Sequence, residues 1–191
     1  MRNKKVKVLT ECAVMVALAF ALSCAKLFEM PLGGSVTVAS MLPIMLIGVK
    51  YGTPTGLICA FAYSLLQCIQ ALFVGNVFPY CETSVTLIVC LLFDYLLPFS
   101  LLGFSGIFRK RPLLKSDDGN IILGMSLTVL ARFLCHFTTG VVIWGQWAPD
   151  GMGKFLYSFL YNGAYLSIDF IICILMTIYI LKNSEVKKLL S

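Results

Sequence analysis

The sequence predicts an all-α integral membrane protein, a bundle of six transmembrane helices with both termini in the cytoplasm, and three observations lead there. The 191 residues are 59% hydrophobic and 13% charged, with a mean hydropathy of +0.91, too apolar for a water-soluble domain of this size. The apolar residues gather into six runs, and a run of about 20 such residues crosses a bilayer as a helix. Twelve Lys and Arg residues fall on alternate connections, in the N-terminal tail, at Lys50, in the 109–115 loop and in the C-terminal tail. The opposite side receives only Lys26 and Lys154, and an excess of basic residues marks the cytoplasmic face. The net charge of +6 is therefore read as topology and not as a nucleic-acid surface.

The first run, 8–25, follows Arg2, Lys4, Lys5 and Lys7. A basic start before an apolar stretch resembles a secretory signal, but the run continues to Ala25 without a small-residue cleavage site and reads as a retained helix. Ala13, Ala17, Ala21 and Ala25 recur every four residues, and such a face lets helices pack closely in lipid. It serves either the protein's own helices or another membrane subunit. The second run, 36–49, is short and contains Pro43, as expected of a kinked or tilted span leaning on its neighbours. The remaining runs are 53–74, 84–108, 121–144 and 156–181, so that 1–191 forms one six-helix domain. Gly, Pro and charged residues fill the connections. Those at 75–83 and 146–155 face outside and place aromatics beside Gly or Pro, as a lid over an outward pocket would.

Several functions are excluded. There is no Gly-x-x-x-x-Gly-Lys-Ser/Thr phosphate loop, and Gly151-Met152-Gly153-Lys154 lacks its spacing, so ATP-derived energy has to come from a partner. The eight cysteines are scattered through apolar runs without a Cys-x-x-Cys pair or a Cys/His cluster at zinc spacing, and read as small core or lipid-facing residues. Neither a metal nor a cofactor is expected, and no catalytic residue is assigned.

Ionisable residues deep in a span are costly and mark functional sites. Asp94 lies ten residues into the fourth run, about 15 Å along a helix and near the bilayer midplane. Arg132 lies at similar depth in the fifth run, with His136 one turn outward on the same face. Asp169 lies mid-span in the sixth, two turns below Asn162. Asp94 with Arg132, or Asp169 with Arg132, would make a structural ion pair. Asp94, Tyr95, His136, Trp144, Tyr157 and Asn162 all fall in the outer half, and together they suit a cationic aromatic ligand. A carboxylate neutralises its charge, aromatic faces attract and stack on it, and an amide, a phenol and an imidazole read its nitrogens. The bland reading of the aromatics is an interfacial belt.

In five stretches the sequence resembles the thiamine-specific substrate-binding subunits, or S-components, of the energy-coupling factor vitamin importers. They are Leu9-Thr-Glu-Cys-Ala-Val-Met-Val-Ala-Leu-Ala19, Gly33-Gly-Ser-Val-Thr-Val-Ala-Ser-Met-Leu-Pro43-Ile, Leu92-Phe-Asp-Tyr-Leu96, His136-Phe-Thr-Thr-Gly-Val-Val-Ile-Trp144 and Tyr157-Ser-Phe-Leu-Tyr-Asn162-Gly. The last two are the most specific. The resemblance implies a six-helix bundle in a bacterial cytoplasmic membrane that binds thiamine from outside, with a transmembrane coupling subunit and two ATPases as partners. It implies ligand contacts at Asp94, Tyr95, His136, Trp144, Tyr157 and Asn162, and a docking motif at Ala13 and Ala17. Some relatives carry Glu where Asp94 stands and an aromatic where Gly34 stands, so that Gly34 removes a stacking partner and Phe78 or Tyr80 of the outer loop would replace it. Arg132 is expected to orient Asp94 or to pair with Asp169.

The residues leave two other transporters open: an S-component for a thiamine precursor or another vitamin, and a self-sufficient ion-coupled carrier using Asp94, Arg132 and Asp169. An intramembrane enzyme built on Cys135 and His136 is disfavoured, because adjacent residues on a helix point about 100° apart.

Overall fold

Helix α1, Arg2–Cys24, opens the chain, and the computed structural model describes residues 2–73 and 77–190. Cys12, Ala19 and Ser23 are buried on one face of α1 while Ala13, Ala17, Leu9 and Val14 are exposed. The alanine stripe thus faces away from the protein's own helices, which removes internal packing as its explanation. Glu11 ties α1 to the next helix, accepting from Lys50 Nζ at 2.7 Å and from the Tyr51 hydroxyl.

After α1 the chain makes a short antiparallel hairpin, β1 (Lys26–Glu29) and β2 (Ser35–Thr37), with Phe28 opposite Val36 and Glu29 opposite Ser35. This corrects the expectation of a helix beginning at Val36. Helix α2 is Leu42–Tyr51, about 15 Å long, and every residue from Leu42 to Val49 is buried. Pro43 sits in its first turn, where a missing N–H costs nothing, so it starts the helix where a kink was expected. Helix α3 spans Thr53–Phe73, and Val74, the expected end of the third run, lies outside the described residues.

Helix α4, Ser84–Lys110, is irregular. It begins under a Thr83 cap, widens to a π turn over Leu91–Leu96 and tightens to a 3-10 stretch over Leu101–Gly106. Helix α5 is Asp117–Val142, begun by a Ser116 cap, and Trp144–Trp147 forms a separate 3-10 turn beyond its end. Helix α6 is Lys154–Lys182, followed by the single turn α7, Ser184–Lys187. Arg109 Nη1 donates to Val49 O at 2.9 Å and Leu190 O at 2.8 Å, fastening the chain end to α2. Among the described residues five helices are long and apolar enough to cross a membrane, and α2 is the shorter sixth.

Lipid tails are as apolar as Leu, so helices in a bilayer associate through close packing and buried polar contacts. Here α2, α3, α4 and α5 meet at small residues. A Cβ on Gly103 would stand 2.5 Å from Leu57 N and 2.6 Å from Gly56 O, and one on Gly106 would meet the Gly48 carbonyl. Ser105 in the same stretch donates to Met45 O at 2.6 Å. Gly103→Val should therefore destabilise the bundle by about 1–3 kcal/mol, as overpacking does. A thermal-unfolding midpoint equal to wild type would show that α3 and α4 can separate without loss.

Candidate functional site

A cavity opens between the hairpin and helices α3, α4, α5 and α6, and the six residues singled out for ligand contact all line it. So do Arg132 and Asp169.

Asp94 is the centre of its hydrogen bonding. It lies in the π turn of α4, a wider turn that changes where successive side chains point and often marks a functional site. Trp144 Nε1 donates to Asp94 Oδ2 at 2.9 Å. Thr139 Oγ1 donates to Oδ1, and His136 Nδ1 lies 3.1 Å from the same oxygen. Arg132 Nε donates to His136 Nε2 at 3.2 Å. A guanidinium cannot accept, so Nε2 is the acceptor and the ring proton sits on Nδ1, directed at Asp94. His136 is thus engaged at both nitrogens and offers the cavity its ring. In this arrangement its nitrogens hold the carboxylate, and the ring face is what it has to offer a ligand.

Arg132 is buried and lies over the Phe99 ring at 4.3 Å. Among the described residues it has no carboxylate within 4.0 Å, the limit for an ion pair, and its Nη1 has no partner. The expected pairing with Asp94 or Asp169 is not formed. It reaches Asp94 only through His136. Asp169 instead accepts from Thr37 N at 2.8 Å and from the Thr37 hydroxyl at 3.3 Å, binding strand β2 to α6.

Asn162 is also largely committed. Its Nδ2 donates to His136 O and Ser158 O at 3.1 and 3.0 Å, and Tyr165 donates to its Oδ1 at 3.1 Å. Only a second lone pair on Oδ1 remains, which suits an amine donor on a ligand. Gly140 makes this crossing possible, since a Cβ there would stand 2.9 Å from Asn162 Nδ2. Tyr157 and Tyr95 supply aromatic surface, with Phe78 against Tyr95 at 5.6 Å. Tyr80 packs edge-on against Trp147 at 5.5 Å, and Trp147 lies 6.0 Å from Trp144. Phe78 and Tyr80 therefore brace the aromatic wall from behind, and neither lines the cavity as the missing aromatic beside Gly34 would.

Four contributors escaped the sequence reading. Thr139, three residues beyond His136 on the same face, was detectable by helical spacing. Gln67 and Gln70 line the cavity from α3, and two amides in an apolar run were a signal; Gln67 donates to Ser23 of α1 at 2.9 Å. Tyr161 lines the cavity as well but in sequence resembles any aromatic of a span.

The profile of the family described as "Thiamine transporter protein" matches residues 9–189. The thiamine transporter ThiT of Bacillus subtilis (strain 168) is 32% identical over 181 residues, covering 90% of this chain and 88% of that protein. ThiT of Lacticaseibacillus paracasei is 25% identical over 174 residues, covering 85% and 80%. A solved structure of ThiT from Listeria monocytogenes superposes with a TM-score of 0.71 at 25% identity, covering 96% of this chain and 98% of that one.

Proposed function

This chain belongs to the thiamine transporter protein family, multi-pass proteins of the cell membrane that are transporters and not enzymes, and from that premise we propose that it binds thiamine from outside and hands it to an ATP-driven importer of the energy-coupling factor type. The observation that carries the ligand assignment is the Asp94 carboxylate, held by Trp144, Thr139 and His136 at the wall of an aromatic-lined cavity. Thiamine has a permanent thiazolium charge and an aminopyrimidine ring. Asp94 balances the charge or takes the pyrimidine amine, Trp144, Tyr95 and the His136 ring pack on the rings, and Tyr157 and Asn162 Oδ1 bond the pyrimidine. The unpartnered Nη1 of Arg132 is available to an acceptor atom of the ligand or to a bridging water.

The delivery step draws on two features. The chain has no phosphate loop, so ATP-derived energy comes from a partner, and the resemblance implies two ATPases acting through a transmembrane coupling subunit. Ala13 and Ala17 are exposed on α1, an uncovered small-residue face of the type that admits a partner helix. The excess of basic residues on alternate connections supports cytoplasmic termini, with the Asp94 cavity toward the outer side.

Thiamine titration of the detergent-purified protein tests the ligand assignment through Trp144 and Trp147, the two tryptophans of the chain. Saturable quenching at sub-micromolar thiamine is expected, lost in Trp144→Phe and kept in Trp147→Phe. Absence of both quenching and calorimetric heat would remove thiamine as the ligand.

A further inference from the structure

Helix α6 carries three tyrosines at four-residue intervals, Tyr157, Tyr161 and Tyr165, whose rings follow one another at 5.7 and 6.0 Å. The last meets the His136 ring edge-on at 6.2 Å. All three line the cavity, but Tyr161 also bonds across to the hairpin. Its hydroxyl accepts from Gly34 N at 3.0 Å and donates to Pro31 O. Both partners are backbone atoms of the turn between β1 and β2.

The ring of Tyr161 also occupies the space that a side chain at position 34 would need. A Cβ on Gly34 would stand 2.8 Å from the Tyr161 hydroxyl and 3.0 and 3.1 Å from two of its ring carbons. The hairpin therefore brings no side chain to this part of the cavity, and α6 supplies an aromatic ring in its place. The turn is in an unfavourable conformation: Leu32 has φ +64° and Gly33 φ +94°, and a residue with a Cβ pays for that region. Such a turn holds its shape when its surroundings hold it, and two attachments do so: Thr37 on Asp169 at the far end of β2, and Tyr161 at the turn itself.

We propose that Tyr161 is a specificity-determining residue that does two things with one side chain: its ring is a wall of the ligand cavity for a cationic heteroaromatic ring, and its hydroxyl clamps the hairpin turn beside it. The inference deepens the thiamine reading and rests on it. Trp144 offers one aromatic face from the 3-10 turn that follows α5, and Tyr161 offers a second from α6 where Gly34 offers none. A ligand ring packed on Tyr161 restricts the movement the hydroxyl needs to release the turn, so occupancy and closure support each other.

Tyr161→Phe and Tyr161→Ala separate the two roles. Tyr161→Phe keeps the ring and loses both hydrogen bonds, and is expected to raise the thiamine dissociation rate about tenfold and to speed hydrogen exchange at residues 30–36 even without ligand. Tyr161→Ala loses the wall too and is expected to raise the Kd about another tenfold. Gly34→Phe discriminates further. In the native background it collides with Tyr161 and weakens binding, whereas with Tyr161→Ala it restores an aromatic wall from the hairpin side and recovers affinity. Thiamine binding within twofold of wild type in both Tyr161 variants, or simple addition of the Gly34→Phe and Tyr161→Ala losses, would overturn the inference. If wild type does not bind thiamine at all, it is the ligand assignment that fails. Exchange at the turn in the ligand-free protein then still decides the clamp: unchanged protection in Tyr161→Phe removes it.

Discussion

Asp94→Ala is expected to raise the Kd for thiamine by about tenfold to a hundredfold while the bundle stays folded. The magnitude follows from the bonds lost. Hydrogen bonds to a charged group contribute about 1.5–3 kcal/mol each, and about 1.4 kcal/mol is a factor of ten in affinity. Loss of the carboxylate also leaves Trp144 Nε1, the Thr139 hydroxyl and His136 Nδ1 without the acceptor that fixes them. The wall of the cavity would then have to reorganise on binding. Folding is spared because Asp94 faces the cavity and is not part of the small-residue core around Gly56 and Gly103. Asp94→Glu, which keeps the charge, should lose less. A neutral isostere of the thiazolium should discriminate less between wild type and Asp94→Ala than thiamine does, if Asp94 meets the cationic ring. Titration of the three proteins with both ligands measures this directly, and thiamine affinity unchanged in Asp94→Ala would take Asp94 out of the site.

The residues that sequence reading brought to this cavity share one property: each is polar, ionisable or amphipathic within a run where lipid penalises such groups. Asp94, His136 and Asn162 stand out for that reason, and helical spacing places them at similar depth without any coordinates. What spacing cannot supply is a change of period. The π turn over Leu91–Leu96 leaves no mark in composition, although it determines where Asp94 points. The hairpin was hidden for another reason. Val36 and Thr37 lie next to an apolar stretch and extend it in a hydropathy reading, while the helix begins only at Leu42, one residue before Pro43. For Arg132, opposite charges at one depth suggest a direct ion pair, whereas the geometry inserts His136 between Arg132 and Asp94, so that Arg132 bears on Asp94 through that ring, and gives Asp169 to the backbone of Thr37. Tyr161 was invisible because only a three-dimensional view shows that a glycine more than a hundred residues away has vacated its space.

Replacing Ala13 and Ala17 together with Trp is expected to abolish thiamine uptake while leaving thiamine binding intact. Both residues are exposed on α1 and neither lines the cavity, so ligand affinity has no route by which to change. The face they form is smooth because an alanine projects one methyl group, and helices with such faces approach closely enough for backbone contact across the interface. An indole adds far more bulk than a methyl group and holds a partner helix away by several ångströms. Dispersion attraction falls steeply over such a gap, and without an aqueous phase no hydrophobic term compensates. The proposed coupling subunit should therefore fail to copurify with the variant. Leu175→Trp on α6 is the control, since Leu175 is also exposed but presents no small-residue face, and it should transport as wild type does. That outcome would separate binding and transport into two surfaces of one small bundle, the cavity between the hairpin and α3, α4, α5 and α6 and the outward stripe of α1. Uptake and copurification that survive the double replacement would place the coupling surface elsewhere on the protein.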